Sequence, residues 1–305
     1  MNQQFFSCDW GTSSFRLRLI ETATGKVLQY IKSAEGIAFV NNLYLSNPHT
    51  DRIHFFKEHL KKQIELIPTV GEQIPCIISG MASSTIGMKE LPYGNTPFSL
   101  VKDKLVTETI NADKSFNYDI ILVSGLRTDN DVMRGEETIV SGCDFKSGEA
   151  LLIFPGTHSK HVFVKDSVLT GFRTFMTGEY FDLLSDKSIL SKSLSNEGYD
   201  KSSFLQGVKD AQHGNLLNHT FHIRTNQLFK KLSTQENYNY LSGILIGTEL
   251  RDLSSGIKEI GLISDLSLSR YYQDALEILL PQTSIEVIDA DKALINAHCK
   301  LINSV

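Results

Sequence analysis

The sequence predicts an α/β protein built from two halves of similar design. Short apolar segments bounded by turn residues alternate with segments whose apolar residues recur at helical spacing, which is typical of a largely parallel sheet surrounded by helices. One order of elements also occurs twice, from Gln4 and again from Ala150: strand, turn of Gly, Thr and Ser, strand, strand. A chain of 305 residues is long enough for two domains. We expect these domains to cover 1–147 and 148–305.

The elements of the first half follow from hydrophobic periodicity. Between Phe15 and Leu19 the apolar residues alternate with Arg16 and Arg18, as they do in a strand. From 51 to 67 the apolar residues instead recur at helical spacing, and Pro68 follows them as a stop signal. The predicted strands are 4–8, 15–20, 26–31, 75–79 and 119–124, and the predicted helix is 51–67.

The same criteria assign the second half. The predicted strands are 150–154, 161–165, 168–176, 259–263 and 284–288, and the predicted helices are 201–212, 236–253, 269–280 and 290–303. The segment 185–200 is rich in Ser, Asp and Lys, so we expect an exposed loop there.

Composition and charge exclude several classes of protein. The chain has 30 Lys and Arg against 35 Asp and Glu, and it contains no basic tract, so nucleic acid is not an expected partner. Its N-terminus does not resemble a signal peptide, and no apolar stretch approaches the length of a membrane span. Four scattered cysteines without a C-x-x-C pair predict reduced thiols in a cytoplasmic protein.

The first polar turn, DWGTSS, directly follows the first predicted strand. Gly11 allows a tight turn that brings backbone N–H groups close to a ligand, and Thr12 and Ser13 add hydroxyl donors. Asp9 would repel a bare phosphate, but it could hold a hydrated Mg²⁺ that bridges to one. An ordinary hairpin uses the same residue types, so both interpretations stay open.

The second polar turn lies in FPGTHSKH. Gly156 shapes the turn, and Thr157 and Lys160 offer donors to a second phosphate. His158 and His161 have a spacing that suggests a metal, but on a strand this spacing directs the two side chains to opposite faces. We therefore do not expect a metal site at these histidines.

The segment TDNDVMRGEET concentrates acidic residues around one arginine. Acidic residues favour the N-terminus of a helix, and Asn130 or Asp131 could cap one there. The functional alternative makes Asp131 a general base and Arg134 a clamp for a carboxylate substrate. The residues themselves do not decide between these interpretations.

Two further features suggest a nucleotide site in the second half. Gly243 and Gly247 are four residues apart on a predicted helix, which permits close packing against a neighbour or a ligand. Ser264 follows the strand 259–263 at the start of the next helix, where helix N-termini commonly meet phosphates.

Six segments, in order, resemble the 2-dehydro-3-deoxygalactonokinase family, which comprises bacterial sugar-acid kinases of the actin/hexokinase/Hsp70-type ATPase superfamily. They are DWGTSSFRLRL, GMASSTIGMKELPY, DVMRGEET, FPGTHSKHV, FRTFMTGE and LSGILIGTEL. The most specific segments are MRGEET and PGTH-x-K, and the resemblance covers nearly the whole chain. It implies two actin/ribonuclease-H-like lobes, each a mixed sheet flanked by helices, with an active site in the cleft between them.

The resemblance also implies roles for individual residues. Asp9 would hold Mg²⁺ through water, and the acidic segment containing Asp131 would supply the catalytic base beside Arg134. The residues implied for ATP are Gly11, Thr12, Ser13, Gly156, Thr157 and His158, to which the motifs above add Lys160, Gly243, Gly247 and Ser264. Those implied for the sugar acid are Arg16 (in preference to Arg18), Gly80, Met81, Ala82, Ser83, Arg134 and Glu136.

The implied reaction is ATP-dependent phosphorylation of the 6-hydroxyl of 2-dehydro-3-deoxy-D-galactonate in D-galactonate catabolism. Two alternatives remain: a polyphosphate or nucleotide phosphatase of the same fold, and a kinase for another 2-keto-3-deoxy sugar acid. A sugar-sensing regulator is not expected, because its DNA-binding module would need room ahead of Asp9. The sequence leaves open the epimer of the acceptor and the oligomeric state, including a homodimer.

Overall fold

A computed structural model of the chain describes residues 3–46, 50–68, 74–144, 148–264 and 266–303. The chain divides into two compact units, of which the first contains Met1–Asp144 and Ala290–Val305 and the second contains Phe145–Asp289. The first boundary lies close to the predicted one. The assignment of the whole of 148–305 to the second domain was wrong, because the last helix packs on the first unit.

The secondary-structure elements follow one another in chain order, and the final helix belongs to the first unit. The strands are β1 (Gln4–Trp10), β2 (Phe15–Glu21), β3 (Lys26–Ser33), β4 (Cys76–Gly80), β5 (Gly94–Asn95), β6 (Phe98–Ser99), β7 (Thr107–Ile110), β8 (Ile120–Val123), β9 (Leu126–Arg127), β10 (Val132–Met133), β11 (Glu149–Phe154), β12 (Ser159–Lys165), β13 (Val168–Phe175), β14 (Glu259–Ile263) and β15 (Ser284–Ile288). The helices are α1 (Ile37–Ser46), α2 (Arg52–Ile64), α3 (Glu136–Gly142), α4 (Thr177–Lys187), α5 (Lys201–Asp210), α6 (Leu216–Leu228), α7 (Thr234–Leu250), α8 (Leu266–Leu279) and α9 (Ala290–Ile302).

Both units contain a sheet of the same design, which confirms the predicted repeat. In the first unit β1, β2 and β3 form an antiparallel meander, and β4 and β8 continue the sheet in parallel from β1. In the second unit β11, β12 and β13 form the meander, and β14 and β15 continue in parallel from β11. In both sheets the carboxyl end of the first strand therefore leads directly into a hairpin turn.

The two faces of the first sheet differ in chemistry because strand residues alternate between them. Phe6, Cys8 and Trp10 belong to an apolar core that also contains residues of α1 and α2. Among the residues between them, Ser7 hydrogen-bonds to α9. On β2, Arg18 is 2% exposed and forms an ion pair of 2.5 Å with Asp291 at the start of α9, so its role is structural.

Several elements differ from the sequence prediction. The predicted helix 51–67 begins with Asp51 as its cap and ends at Ile64. Helices α1, α4 and α6 were not predicted. In α4 and α6 the helical pattern is weak, because α4 has no buried residue and α6 buries only Ile223. The predicted loop 185–200 contains the end of α4 and a short 3₁₀ turn over Ser191–Ser193. Across the described ranges, no helix is long and apolar enough to cross a membrane.

Glycines allow helices to cross at close range in both units. A Cβ at Gly142 of α3 would lie 1.8 Å from the Ala293 carbonyl oxygen of α9. A Cβ at Gly243 of α7 would lie 2.0 Å from the Phe204 carbonyl oxygen of α5, and Gly247 is similarly crowded by the same helix. Gly243 and Gly247 therefore serve helix packing, contrary to the expectation that they contact the nucleotide.

We predict that Gly243→Ala lowers the free energy of unfolding by about 1–3 kcal/mol, because the added methyl group must push α7 away from α5. The matched control is Gly171→Ala, since a Cβ at Gly171 meets nothing within 4 Å. Urea unfolding followed by circular dichroism measures both variants. Equal midpoints for the two would contradict the packing role.

Candidate active site

The first polar turn connects β1 and β2 as a tight hairpin. The Gly11 N–H donates to the Ser14 carbonyl oxygen at 2.9 Å, and Thr12 and Ser13 are exposed at the tip. The predicted hairpin is confirmed, and its two hydroxyl residues lie where a ligand could reach them.

The start of α1 supports this hairpin from behind. The Ile37 N–H donates to the Gly11 carbonyl oxygen at 2.9 Å, and the Ala38 N–H donates to the Thr12 carbonyl oxygen at 3.0 Å. A Cβ at Gly36 would lie 2.4 Å from that Thr12 oxygen. Glycine at position 36 is therefore required for α1 to hold the turn.

Asp9 and Arg16 are cross-strand neighbours beside the turn. The Arg16 Nη1 atom lies 2.7 Å from Asp9 Oδ2, and the side chains remain 34% and 26% exposed. Arg16, which was expected to bind the sugar acid, thus pairs with Asp9 in the structure and orients its carboxylate.

The residues around Asp9 fit Mg²⁺ that arrives with a nucleotide better than a preformed metal centre. The described residues contain no group of three or more His, Cys, Asp or Glu side chains that could hold a metal ion. Mg²⁺ is commonly bound by one or two carboxylates together with waters and substrate phosphates. A single, partly exposed carboxylate such as Asp9 meets that requirement.

The guanidinium of Arg134 is held by neutral groups. Its Nη1 atom donates to the carbonyl oxygen and to the Oγ of Ser83, each at 2.7 Å, and more weakly to Ser124 Oγ at 3.3 Å. The guanidinium carbon lies 4.1 Å from the centre of the Tyr93 ring. Within the described residues no carboxylate forms an ion pair with Arg134, and its buried Nε has no hydrogen-bond partner. Its orientation is therefore fixed while its charge remains available to an anion.

The main role of the segment that follows β4 is to position Arg134, because two of its side chains are too buried to contact a ligand. Ala82 and Ser83 were expected to touch the sugar acid, but they are 0% and 1% exposed, so their side chains cannot reach one. Ser83 acts by binding Arg134, and Met81 packs against the apolar core. Gly80 has φ +92°, and a Cβ there would lie 2.7 Å from the Trp10 carbonyl oxygen.

The acidic segment forms a hairpin and not a helix start. β9 and β10 pair antiparallel, the Asp131 carbonyl oxygen accepts the Thr128 N–H at 2.9 Å, and Asp131 Oδ1 accepts the Val132 N–H at 2.8 Å. This excludes the interpretation in which Asn130 or Asp131 caps a helix, because the pairing of β10 with β9 keeps this backbone extended. Helix α3 begins only at Glu136.

The turn between Arg134 and α3 depends on the buried carboxyl group of Glu137. Both Glu137 oxygens accept the Gly135 N–H, at 3.0 and 2.8 Å, and Gly135 has φ +115°. Burial, and then the charge of Glu136, raises the pKa of Glu137 to about 8. Glu136 in turn accepts the Arg134 N–H at 3.1 Å. Arg134, Gly135 and Glu136 therefore have a defined backbone geometry.

A buried polar chain continues from Glu137 to the last helix. Thr138 Oγ1 donates to Glu137 at 2.9 Å and lies 3.3 Å from Ser79 Oγ. His298 bridges Ser79 and Ser7, with 2.8 Å from each ring nitrogen to a hydroxyl oxygen. Burial, and then the charge of Arg18, lowers the pKa of His298 to about 3, so the ring is neutral and donates from only one nitrogen.

The second polar turn is supported by the start of α4. The Glu179 N–H donates to the Thr157 carbonyl oxygen at 3.0 Å, and the exposed His158 lies 2.6 Å from the Glu179 carboxylate. A Cβ at Gly178 would lie 2.6 Å from the Gly156 carbonyl oxygen. Lys160, expected to bind a phosphate, is 6% exposed and donates to the His158 carbonyl oxygen at 2.9 Å, so it supports the turn from below.

A cavity of about 720 Å³ opens beside this turn within the second unit. Its lining includes an aromatic wall in which the Arg270 guanidinium lies 4.2 Å from the centre of the Tyr199 ring. Sequence reasoning missed this wall, although the RYY tripeptide at 270–272 was a signal for it. The lining residues are Gly156, Thr157, Thr177, Gly178, Phe181, Asp182, Asn196, Tyr199, Tyr238, Ser242, Leu245, Ile246, Leu268, Arg270, Tyr271 and Tyr272.

The residues of the predicted helices that line this cavity are not the ones expected to contact the nucleotide. On α7, Ser242, Leu245 and Ile246 line the cavity, while the two expected glycines face α5. Ser264 does not line the cavity, and its buried Oγ has no partner among the described residues. Asp265, which lies in the predicted SDLSLS motif, is outside the described residues.

Comparison with known proteins identifies the family. The family model described as 2-keto-3-deoxy-galactonokinase matches residues 9–301. The chain belongs to this family. A protein of Rhizobium meliloti (strain 1021), named a probable 2-dehydro-3-deoxygalactonokinase, is 32% identical over 304 residues, which cover 95% of this chain and 94% of that protein.

Further members support the assignment to the 2-keto-3-deoxy-galactonokinase family. The 2-dehydro-3-deoxygalactonokinase of Escherichia coli (strain K12) is 27% identical over 92% of this chain and 91% of its own length. A crystal structure of a Sinorhizobium meliloti protein, provisionally named a 2-dehydro-3-deoxygalactonokinase, superposes with a TM-score of 0.83. It is 30% identical and covers 99% of this chain and 96% of that one. The resemblance found in the sequence and the predicted α/β class are both confirmed.

We predict that His298 makes the folded state sensitive to acid. The unfolded chain takes up a proton near the ordinary pKa of 6.5, whereas the folded state does so only near 3, so stability falls as pH decreases through this window. Relative to His298→Gln, the wild type should lose up to about 1.4 kcal/mol per pH unit below pH 6.5. Glu137 has the opposite effect on stability, because its pKa is raised in the folded state. This effect is present in both proteins and cancels when they are compared.

Urea unfolding between pH 7.5 and about 4.5 tests this acid sensitivity. His54→Gln serves as the control, because His54 is exposed on α2. Parallel pH profiles for the wild type and His298→Gln would contradict a buried, neutral His298.

Proposed function

We propose that this chain is an ATP-dependent kinase that phosphorylates the 6-hydroxyl of 2-dehydro-3-deoxygalactonate. The observation that carries the proposal is Arg134, a rigidly held guanidinium whose charge no described carboxylate neutralises. The names of the relatives from R. meliloti and E. coli support the same substrate.

Arg134 would bind the carboxylate of the sugar acid. A guanidinium presents parallel N–H donors that match the two oxygens of a carboxylate, and this geometry is worth most where water is partly excluded. Arg134 would therefore select a sugar acid over a neutral sugar. Glu136 and the backbone at Gly80 and Met81 would contribute to the same site.

Asp131 would act as the general base. It would orient the acceptor hydroxyl and take its proton as the new bond forms, while positioning and charge stabilisation account for most of the catalysis. Asp131 directly precedes β10 and Arg134 directly follows it, so the base and the proposed carboxylate clamp come from one short segment.

The groups for ATP would come from both polar turns. In the second unit the aromatic wall of Tyr199, Arg270 and Tyr271 would take the adenine ring, and the phosphates would extend toward Thr157 and the N-terminus of α4. The cavity volume of about 720 Å³ is in the range of nucleotide-sized sites. In the first unit the turn 11–13 would bind phosphate oxygens.

Mg²⁺ would be held near Asp9, through water. When bound, the ion offsets the negative charge on the transferred phosphate and its leaving group. Arg16 would keep the Asp9 carboxylate in one orientation through their 2.7 Å ion pair.

A coupled assay of ADP release tests the function. The purified chain, ATP and Mg²⁺ are combined with 2-dehydro-3-deoxygalactonate, its gluconate-derived epimer and a neutral sugar. We expect turnover with the galactonate-derived acid and none with the neutral sugar. ATP consumption without any acceptor would instead support a phosphatase, and preference for the epimer would reassign the substrate.

For Arg134→Ala we predict an increase of about 10- to 100-fold in the KM for the sugar acid, because a charge-assisted hydrogen bond of about 1.5–3 kcal/mol is lost. The KM for ATP should change little. Arg127→Ala is the control, since Arg127 is exposed on the neighbouring strand β9 and bonds Asn95. A similar rise in both constants would make Arg134 a structural residue.

Replacing Asp131 by Asn should lower kcat by about 10²- to 10⁴-fold, because the amide cannot accept the proton of the acceptor hydroxyl. ATP binding, measured by calorimetry, should be retained. Asp129→Asn is the matched control, since Asp129 is exposed in the same hairpin. Near-normal turnover by Asp131→Asn would move the base to another acid.

A further inference from the structure

Glu249, near the end of α7, is a buried carboxylate surrounded by hydrogen-bond donors. Its side chain is 1% exposed. Oε1 accepts from Ser159 Oγ at 2.7 Å and from His161 Nε2 at 2.8 Å. Oε2 accepts from the Tyr272 hydroxyl at 2.7 Å and also from Thr177 Oγ1. These four hydrogen bonds compensate for the free-energy cost of removing the carboxylate from water.

The four donors come from three different elements of the second unit. Ser159 and His161 belong to β12, which starts directly after the turn 155–158. Thr177 is the first residue of α4, and Tyr272 lies on α8. Thr177 and Tyr272 also line the cavity, whereas Glu249 itself does not. One side chain of α7 thus connects all three surrounding elements.

The connection extends to the backbone of the turn. Gly178, next to Thr177, packs so closely on Gly156 that a Cβ would lie 2.6 Å from the Gly156 carbonyl oxygen. The Glu179 N–H also donates to the Thr157 carbonyl oxygen at 3.0 Å. A shift of the first turn of α4 would therefore displace Gly156 and Thr157.

We propose that Glu249 is a positioning residue for nucleotide binding, which fixes the turn 155–158 and the start of α4 in the geometry that receives the phosphates. Glu249 does not contact the nucleotide. It acts through Ser159, Thr177 and Tyr272. This inference rests on the proposed function, because it assigns the cavity to ATP.

A carboxylate is required at this position because all four partners donate to it. Glutamine has the same shape but offers one oxygen and one NH₂ group. At two of the four contacts, the NH₂ group would therefore face a partner that is also a hydrogen-bond donor. The hydroxyl partners could rotate to accept, but they would then lose their present orientation. Burial and the Glu249 charge raise the pKa of Tyr272, which keeps its hydroxyl protonated as a donor.

The test measures ADP binding to the full chain by isothermal titration calorimetry in the presence of Mg²⁺. For Glu249→Gln we expect the Kd for ADP and the KM for ATP to rise by about 10- to 100-fold, while the KM for the sugar acid changes less than about twofold. Glu277→Gln is the matched control, because Glu277 is exposed on α8. Unchanged ADP binding by a folded Glu249→Gln variant would overturn the proposal.

A second variant keeps the test decisive if Glu249→Gln does not fold. Ser159→Ala removes one donor to Glu249 at a residue that does not line the cavity. Weaker ADP binding by this variant supports positioning through Glu249, and wild-type ADP binding overturns it. Failure of the proposed function appears separately, as a wild-type chain that does not bind ADP or does not phosphorylate the sugar acid.

Discussion

Burying a carboxyl group in this chain requires that several N–H and O–H donors converge on it, and this requirement shapes the turn regions of both units. In the first unit the donors to Glu137 are the backbone of Gly135 and the hydroxyl of Thr138. In the second unit Glu249 collects side-chain donors from β12, α4 and α8. Each convergence fixes backbone that local sequence alone would leave free.

The two carboxyl groups nevertheless differ in their electrostatics. Glu137 has the like charge of Glu136 beside it and its pKa rises to about 8, so near neutral pH it is largely protonated. Glu249 lies against His161, whose ring nitrogen at 2.8 Å can donate to it. The segment around Arg134 is therefore supported by a nearly neutral group, which leaves the cationic charge of Arg134 without a competing anion from Glu137.

The sequence was informative for several local features. Alternating apolar residues around Arg16 predicted β2, and the Gly, Thr and Ser turns predicted both hairpins, because strand periodicity and turn chemistry act over a few residues. Helix α9 illustrates the opposite case. Its place in the first unit depends on Gly142 and on His298 bridging Ser7 and Ser79, and contacts this distant along the chain leave no periodic signal.

The candidate site also combines local features, which the sequence predicts, with long-range features, which it does not. Asp9 and the two turns were predicted from motifs, whereas the aromatic wall around Tyr199 and Arg270 was missed, because its residues come from separate segments. For the acidic segment the sequence left a helix start open, because acidic residues suit both a helix N-terminus and a hairpin. The pairing of β10 with β9 decides between them, and composition carries no information about that pairing.

The three arginines considered for the sugar acid differ in whether a protein carboxylate already pairs with them. Arg18 is buried against Asp291, and Arg16 is paired with Asp9 at 2.7 Å. A substrate carboxylate at either position would have to compete with a protein carboxylate, and the net gain in binding would be small. Arg134 is oriented by hydroxyl and carbonyl oxygens, which stabilise its position without neutralising its charge. An incoming carboxylate therefore meets less competition at Arg134 than at Arg16, and this places Arg134 ahead of Arg16 as the residue that recognises a sugar acid.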